Sequence, residues 1–134
     1  MSMGNANEIL LIEDNEDLRK VSCEILEMSG FKVRGAGSGN EALGLLRDGL
    51  RPAVFLLDLG LPDITPEEFY QQFRVIPGAE EIPLVLASGR ADLNSWAIRF
   101  GADRTMQKPY DFDALLNLAA DYCRPSGGPV SSAG

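Results

Sequence analysis

Residues 53–58 read Ala-Val-Phe-Leu-Leu-Asp. An unbroken apolar run of this length, with no polar residue at alternate positions, describes a short strand buried on both faces. The acid at its end marks where the chain leaves the core. Outward from it the same pattern recurs. Glu8-Ile9-Leu10-Leu11-Ile12 ends at Glu13-Asp14, and Ile82 to Ala87, interrupted near its start by Pro83, ends at Ser88. Phe31-Lys32-Val33-Arg34 alternates like a half-buried strand, and Asp103 to Met106 is a weaker fifth strand with Lys108 just beyond it.

The intervening segments carry helical signals. Leu18, Val21, Ile25 and Met28 recur at the helical period, with Gly30 as a stop. Ser38 with Glu41 three residues later is a capping-box signature for a helix through Leu43 and Leu46, reaching towards Leu50. Thr65-Pro66-Glu67-Glu68 places a cap, a first-turn proline and an N3 glutamate ahead of a helix to about Val75. Leu93 to Phe100 is a short helix closed by Gly101, and Phe112, Leu115, Leu116, Ala119 and Tyr122 form the last stripe. Five strands alternating with five helices predict an α/β fold: a flavodoxin-like, doubly wound, five-stranded parallel sheet of order 2-1-3-4-5 with helices on both faces. The expected folded unit is 8–124, with a flexible N-terminus over 1–7 and a disordered tail or linker over 125–134, rich in Ser, Gly and Pro.

Composition narrows the chemistry. A net charge of −8 argues against a nucleic-acid groove, and no apolar run approaches the ~20 residues of a membrane span. With no secretion signal and with Cys23 and Cys123 in separate helical patterns, two free thiols in the cytoplasm are expected. Histidine is absent, which removes imidazole catalysis and most zinc sites. Gly35-Ala36-Gly37-Ser38-Gly39 invites a nucleotide-loop reading, but Asn40 stands where the dinucleotide fingerprint needs glycine and no P-loop lysine follows. It reads as a connection and a cap.

The residues that follow the strands form a set. Glu13-Asp14, Asp58, Ser88 and Lys108 come to the same rim of such a sheet, where ligands of open α/β sheets bind. Three carboxylates gathered there repel one another by on the order of 4 kcal/mol per pair at about 4 Å and an effective dielectric near 20. A cation relieves that repulsion, and an all-oxygen donor set favours Mg²⁺. Lys108 and the Ser88 hydroxyl would then meet the oxygens of a phosphoryl group.

Four segments in order resemble the motifs of response-regulator receiver domains: Ile9 to Asn15, Leu56 to Asp63, Leu86 to Gly89, and Gly101-Ala102-Asp103 through Lys108-Pro109-Tyr110. The resemblance covers about residues 7–124. It implies a phosphoacceptor at Asp58, with Asp14 as a direct Mg²⁺ ligand, Glu13 a ligand through water and Gly60 a ligand through its carbonyl. It assigns the phosphoryl oxygens to Ser88 and Lys108. It further implies a phosphohistidine donor on a histidine kinase or histidine phosphotransfer protein, slow self-dephosphorylation, and an output partner. Because the chain has no histidine, the donor comes in trans.

The chain departs from that pattern in four places. Thr105 stands where the family's switch aromatic falls, three residues before the lysine. Ser88 and Lys108 are 20 positions apart, about two fewer than usual, so the fourth helix or its approach is shortened. Pro66 replaces a common glycine, which the helix start explains. Gly60 offers no side chain two residues past Asp58, a position tied to dephosphorylation rate. Phosphorylation chemistry with an altered readout is therefore expected. The rival readings are a pseudo-receiver that docks partners without phosphorylation, and a haloacid-dehalogenase-type hydrolase, which needs a second acid at Gly60. Trp96 fits either a core anchor or a partner contact.

Overall fold

The computed structural model describes residues 5–124. In chain order it forms β1 (Asn5–Ile12), α1 (Glu16–Met28), β2 (Lys32–Ala36), α2 (Gly39–Arg47), β3 (Pro52–Asp58) and α3 (Pro66–Phe73). A short 3₁₀ turn (Ala79–Glu81), β4 (Leu84–Ser88), α4 (Leu93–Phe100), β5 (Arg104–Gln107) and α5 (Phe112–Tyr122) follow. All strand pairs are parallel and the order is β2-β1-β3-β4-β5, as expected. Expected flexibility at 1–4 and at 125–134 falls outside the described residues, whereas Asn5–Asn7 open β1 and so extend that strand beyond the expected Glu8.

The sheet separates two cores. On one side Leu10, Phe55, Leu57 and Leu86 pack under α2, α3 and α4; on the other Ile9, Leu11, Leu56 and Val85 pack under α1 and α5. Phe55 is fully buried, with the Phe69 and Phe73 rings of α3 at 6.0 and 5.9 Å. These central strands bury both faces, which is why they read as continuous apolar runs. Trp96 resolves as a partly buried anchor: it packs on the core, its ring lies 6.0 Å from Phe100, and the Arg99 guanidinium covers it at 5.3 Å.

Several helix signals are realised. Thr65 and Glu68 form a reciprocal capping box at α3. Ser38 accepts from the Glu41 amide, but the Glu41 carboxylate takes the Gly37 N–H instead of returning to Ser38. β4 starts at Leu84 rather than Ile82, because Ile82 closes the 3₁₀ turn and Pro83 has no N–H for the ladder. α3 ends at Phe73, short of Val75.

α1 differs most from expectation. Its apolar stripe is not its core face: Leu18 and Val21 are about two-fifths exposed and Met28 is 85% exposed, while Ser22 and Leu26 are buried. Arg19 and Cys23 lie against β2, within 3.3 Å of where a side chain on Gly35 would begin. That approach turns α1 so that Leu18, Val21 and Met28 face solvent and only Ile25 of the stripe stays half-buried. Leu26→Ala should therefore cost about 2–5 kcal/mol in urea denaturation, and Met28→Ala should stay within about 0.5 kcal/mol of wild type. The reverse ranking would mean that α1 is rotated.

Both cysteines are free, and burial raises both thiols; Cys123 is pushed up to about 11. In the native protein at pH 8, an alkylating reagent should modify the half-buried Cys23 first and reach Cys123 only as the protein unfolds.

Candidate functional site

The parallel ladder carries the expected residues to one rim. β1 ends beside Ala36 of β2, whose carbonyl takes the Glu13 N–H at 3.0 Å. Asp58 is the last residue of β3 and pairs with Ala87, and Ser88 ends β4 opposite Gln107. Lys108 follows β5 directly, its N–H bonded to the Ser88 carbonyl at 2.9 Å, and its peptide bond to Pro109 is cis.

Glu13, Asp14 and Asp58 each offer a carboxylate oxygen, and these oxygens lie within 4.8 Å of one another. Glu13 and Asp58 are buried and Asp14 is exposed. Two structural bonds orient the buried acids: Gly60 N–H donates to Asp58 Oδ1 at 3.0 Å, and Asn15 N–H donates to Glu13 Oε2 at 3.2 Å. The Lys108 ammonium lies 2.8 Å from Asp58 Oδ2 and 3.5 Å from Glu13 Oε1, so 50 and 95 residues of sequence separation close into one ion cluster. Burial pulls the Lys108 pKa down. The hydrogen bond and charge of Asp58, with the charges of Glu13 and Tyr110, outweigh this and hold it above its ordinary value. Burial raises Tyr110 as well, opposed by Lys108 and aided by the two acids.

The Ser88 hydroxyl is buried and accepts the Arg90 N–H at 2.9 Å. It still has its own proton to donate. Gly60 is exposed at the start of the loop after β3. Glu13, Asp14, Asp58 and Lys108 thus converge as expected, with Ser88 and Gly60 on the same strand ends. Thr105 lies half-buried in mid-β5, opposite Leu86. The chemistry available is that of hard oxygen donors around a divalent cation, beside a carboxylate that a lysine already touches.

Three supporting residues escaped the sequence reading. Asn15 caps α1, accepting the Leu18 N–H at 2.9 Å, and its place before a helical run was a readable signal. Arg19 donates from Nη1 to the Glu13 carbonyl at 2.8 Å, and Gln107 donates from Nε2 to the Ser88 carbonyl at 3.2 Å. Both contacts end on backbone carbonyls of residues in the motif segments, and a carbonyl carries no sequence signal of its partner, so no local pattern announced them.

The carboxylate crowding has a measurable consequence. In chelator-containing buffer, Asp14→Asn should stabilise the protein by on the order of 1 kcal/mol, since it removes one repelling charge at a wet edge and leaves the Lys108–Asp58 bond intact. A loss of stability in urea denaturation would show that the three acids do not repel.

Comparison with known proteins agrees with this geometry. The chain is 30% identical over 118 residues to an uncharacterised 14.6 kDa protein from the sodA1 3′ region of Leptolyngbya boryana, an alignment covering 87% of this chain and 89% of that one. It is 28% identical over 109 residues to the regulatory protein AtoC of Escherichia coli, covering 81% of this chain but 23% of AtoC, so the chain matches one part of that longer protein. In fold it is similar to the receiver domain of the sensor histidine kinase PA1611 from Pseudomonas aeruginosa, at a TM-score of 0.73 and 21% identity, covering 88% of this chain and 98% of that one. That structure has a magnesium ion coordinated in its active-site cleft. Residues 9–120 match the response regulator receiver domain family. The chain belongs to that family, the receiver domains of two-component signalling.

Proposed function

We propose that the chain accepts a phosphoryl group on Asp58 in a Mg²⁺-dependent transfer from a partner phosphohistidine, on a histidine kinase or a histidine phosphotransfer protein. The observation that carries this reading is the Lys108 ammonium 2.8 Å from Asp58 Oδ2, beside three carboxylates whose oxygens lie within 4.8 Å. The donor set suits Mg²⁺: it is all oxygen, it is anionic, and it is open on the Asp14 side. Asp14 and Asp58 would hold the ion directly, Glu13 through water and Gly60 through its carbonyl. When bound, the ion supplies positive charge that offsets the phosphoryl oxygens and the carboxylates.

The chain's own residues do the rest. An Asp58 carboxylate oxygen forms a bond to phosphorus as the P–N bond to the donor imidazole breaks. Lys108 leaves its ion pair with Asp58 for a phosphoryl oxygen, so its positive charge follows the negative charge. Ser88 donates its hydroxyl proton to another of those oxygens. Slow hydrolysis of the same acyl phosphate resets the protein.

The readout differs from an aromatic switch. Thr105 cannot bury the surface of a ring, and the eight-residue α4 is tied to α3 instead. Arg99 on α4 pairs with Glu67 on α3 at 2.7 Å, and its guanidinium lies over the Tyr70 ring at 5.1 Å. Phosphorylation then alters partner binding without an inward swing at position 105.

Acetyl phosphate with Mg²⁺ should add about 80 mass units to the wild type and nothing to Asp58→Asn. Lys108→Ala should slow the gain by at least about tenfold, with Mg²⁺ binding retained. A wild type that binds no Mg²⁺ and gains no mass would point instead to a module that works by docking alone.

A further inference from the structure

We propose that Asp63 is a positioning residue for the metal- and phosphoryl-binding centre, acting through the loop that carries Gly60. The inference rests on the role given to Gly60 above and adds a residue to it.

The first turn of a helix presents amides with no partner inside the helix. At α2 these are shared between two acceptors. The Glu41 amide goes to Ser38 Oγ at 3.0 Å, the ordinary local cap. The Gly39 and Asn40 amides go instead to the two oxygens of Asp63, at 3.0 and 2.9 Å, across 24 and 23 residues of sequence. The partial positive charge at this helix end favours a carboxylate there, and a two-point bond sets the direction of Asp63 as well as its distance. The loop is pressed against the same turn. A Cβ on Gly39 would lie 2.4 Å from Ile64 Cγ2 and 3.1 Å from Leu61 Cδ1, so only glycine permits this approach.

The other end of the loop is also held. Leu59 N–H bonds the Ala87 carbonyl of β4 at 3.0 Å, and Gly60 N–H bonds Asp58 Oδ1. Gly60 therefore lies between an anchor on the sheet and an anchor on α2. A glycine has the widest backbone freedom of any residue, so the direction of its carbonyl depends on those anchors. Both Asp63 oxygens are taken by α2, so it stands outside the ligand set assigned above. It orders the segment that must present the Gly60 carbonyl to the ion, and through it the Asp58 carboxylate.

Calorimetric titration of Mg²⁺ into the whole chain, with thermal unfolding of each variant, tests this. Asp63→Ala should weaken Mg²⁺ binding about tenfold or more, with Asp63→Asn between it and wild type, because one amide oxygen replaces two acceptors. Ser38→Ala removes a cap from the same turn without touching the loop. It should lower the unfolding midpoint and leave Mg²⁺ affinity at the wild-type value. Wild-type affinity in Asp63→Ala, or an equal loss in Ser38→Ala, would overturn the positioning role while leaving the metal site standing. A wild type that binds no Mg²⁺ would overturn the metal site, and this inference with it.

Discussion

Like charges are concentrated at one rim of the sheet. Three carboxylate oxygens within 4.8 Å, two of them on buried side chains, would oppose folding if nothing answered them. Lys108 supplies the answer within the protein itself. It reaches both buried acids, at 2.8 and 3.5 Å, and joins the ends of β1, β3 and β5. The arrangement carries a standing negative surplus, three acids to one lysine, and the exposed Asp14 leaves it open to solvent. A site with that surplus favours a cation.

The two cores hold the charged rim in place. Fully buried Ile9 to Ile12 and Val54 to Leu57 set β1 and β3 side by side, and their parallel register delivers Glu13 and Asp58 together. The loops carry Asp14, Gly60 and Arg90. Their backbone is tied by short polar contacts: Asn15 to Glu13, Gly60 to Asp58, Asp63 to α2. A sheet buried on both faces thus presents the charged groups at its edge, with the loops around them held by polar anchors.

Much of this was legible because the local signals agreed with the global fold. Continuous apolar runs announced the inner strands, and the polar residues after them gave Glu13, Asp14, Asp58 and Ser88, while Lys108 was read from the weaker edge strand β5. Thr65-Pro66-Glu67-Glu68 formed the cap its spacing promised. Reading went astray where tertiary packing overrode a local pattern. In α1 the periodic residues Leu18, Val21 and Met28 look outward, because Arg19 and Cys23 close against the small Gly35 of β2. At β4, Pro83 delayed the strand although the apolar run had already begun.

The sequence by itself determined the alternation of strands and helices, the parallel sheet that follows from it, and the identity of the residues delivered to its rim. Those are consequences of local hydrophobic period and of the handedness of crossovers, both of which act over short stretches of chain. Only the tertiary structure decided which of those residues touch, that Lys108 bonds Asp58 in preference to Glu13, which face α1 buries, and that Asp63 reaches back to α2. The physical reason is distance. A hydrogen bond or an ion pair depends on tenths of an ångström between groups as many as 95 residues apart, and no local pattern encodes that separation.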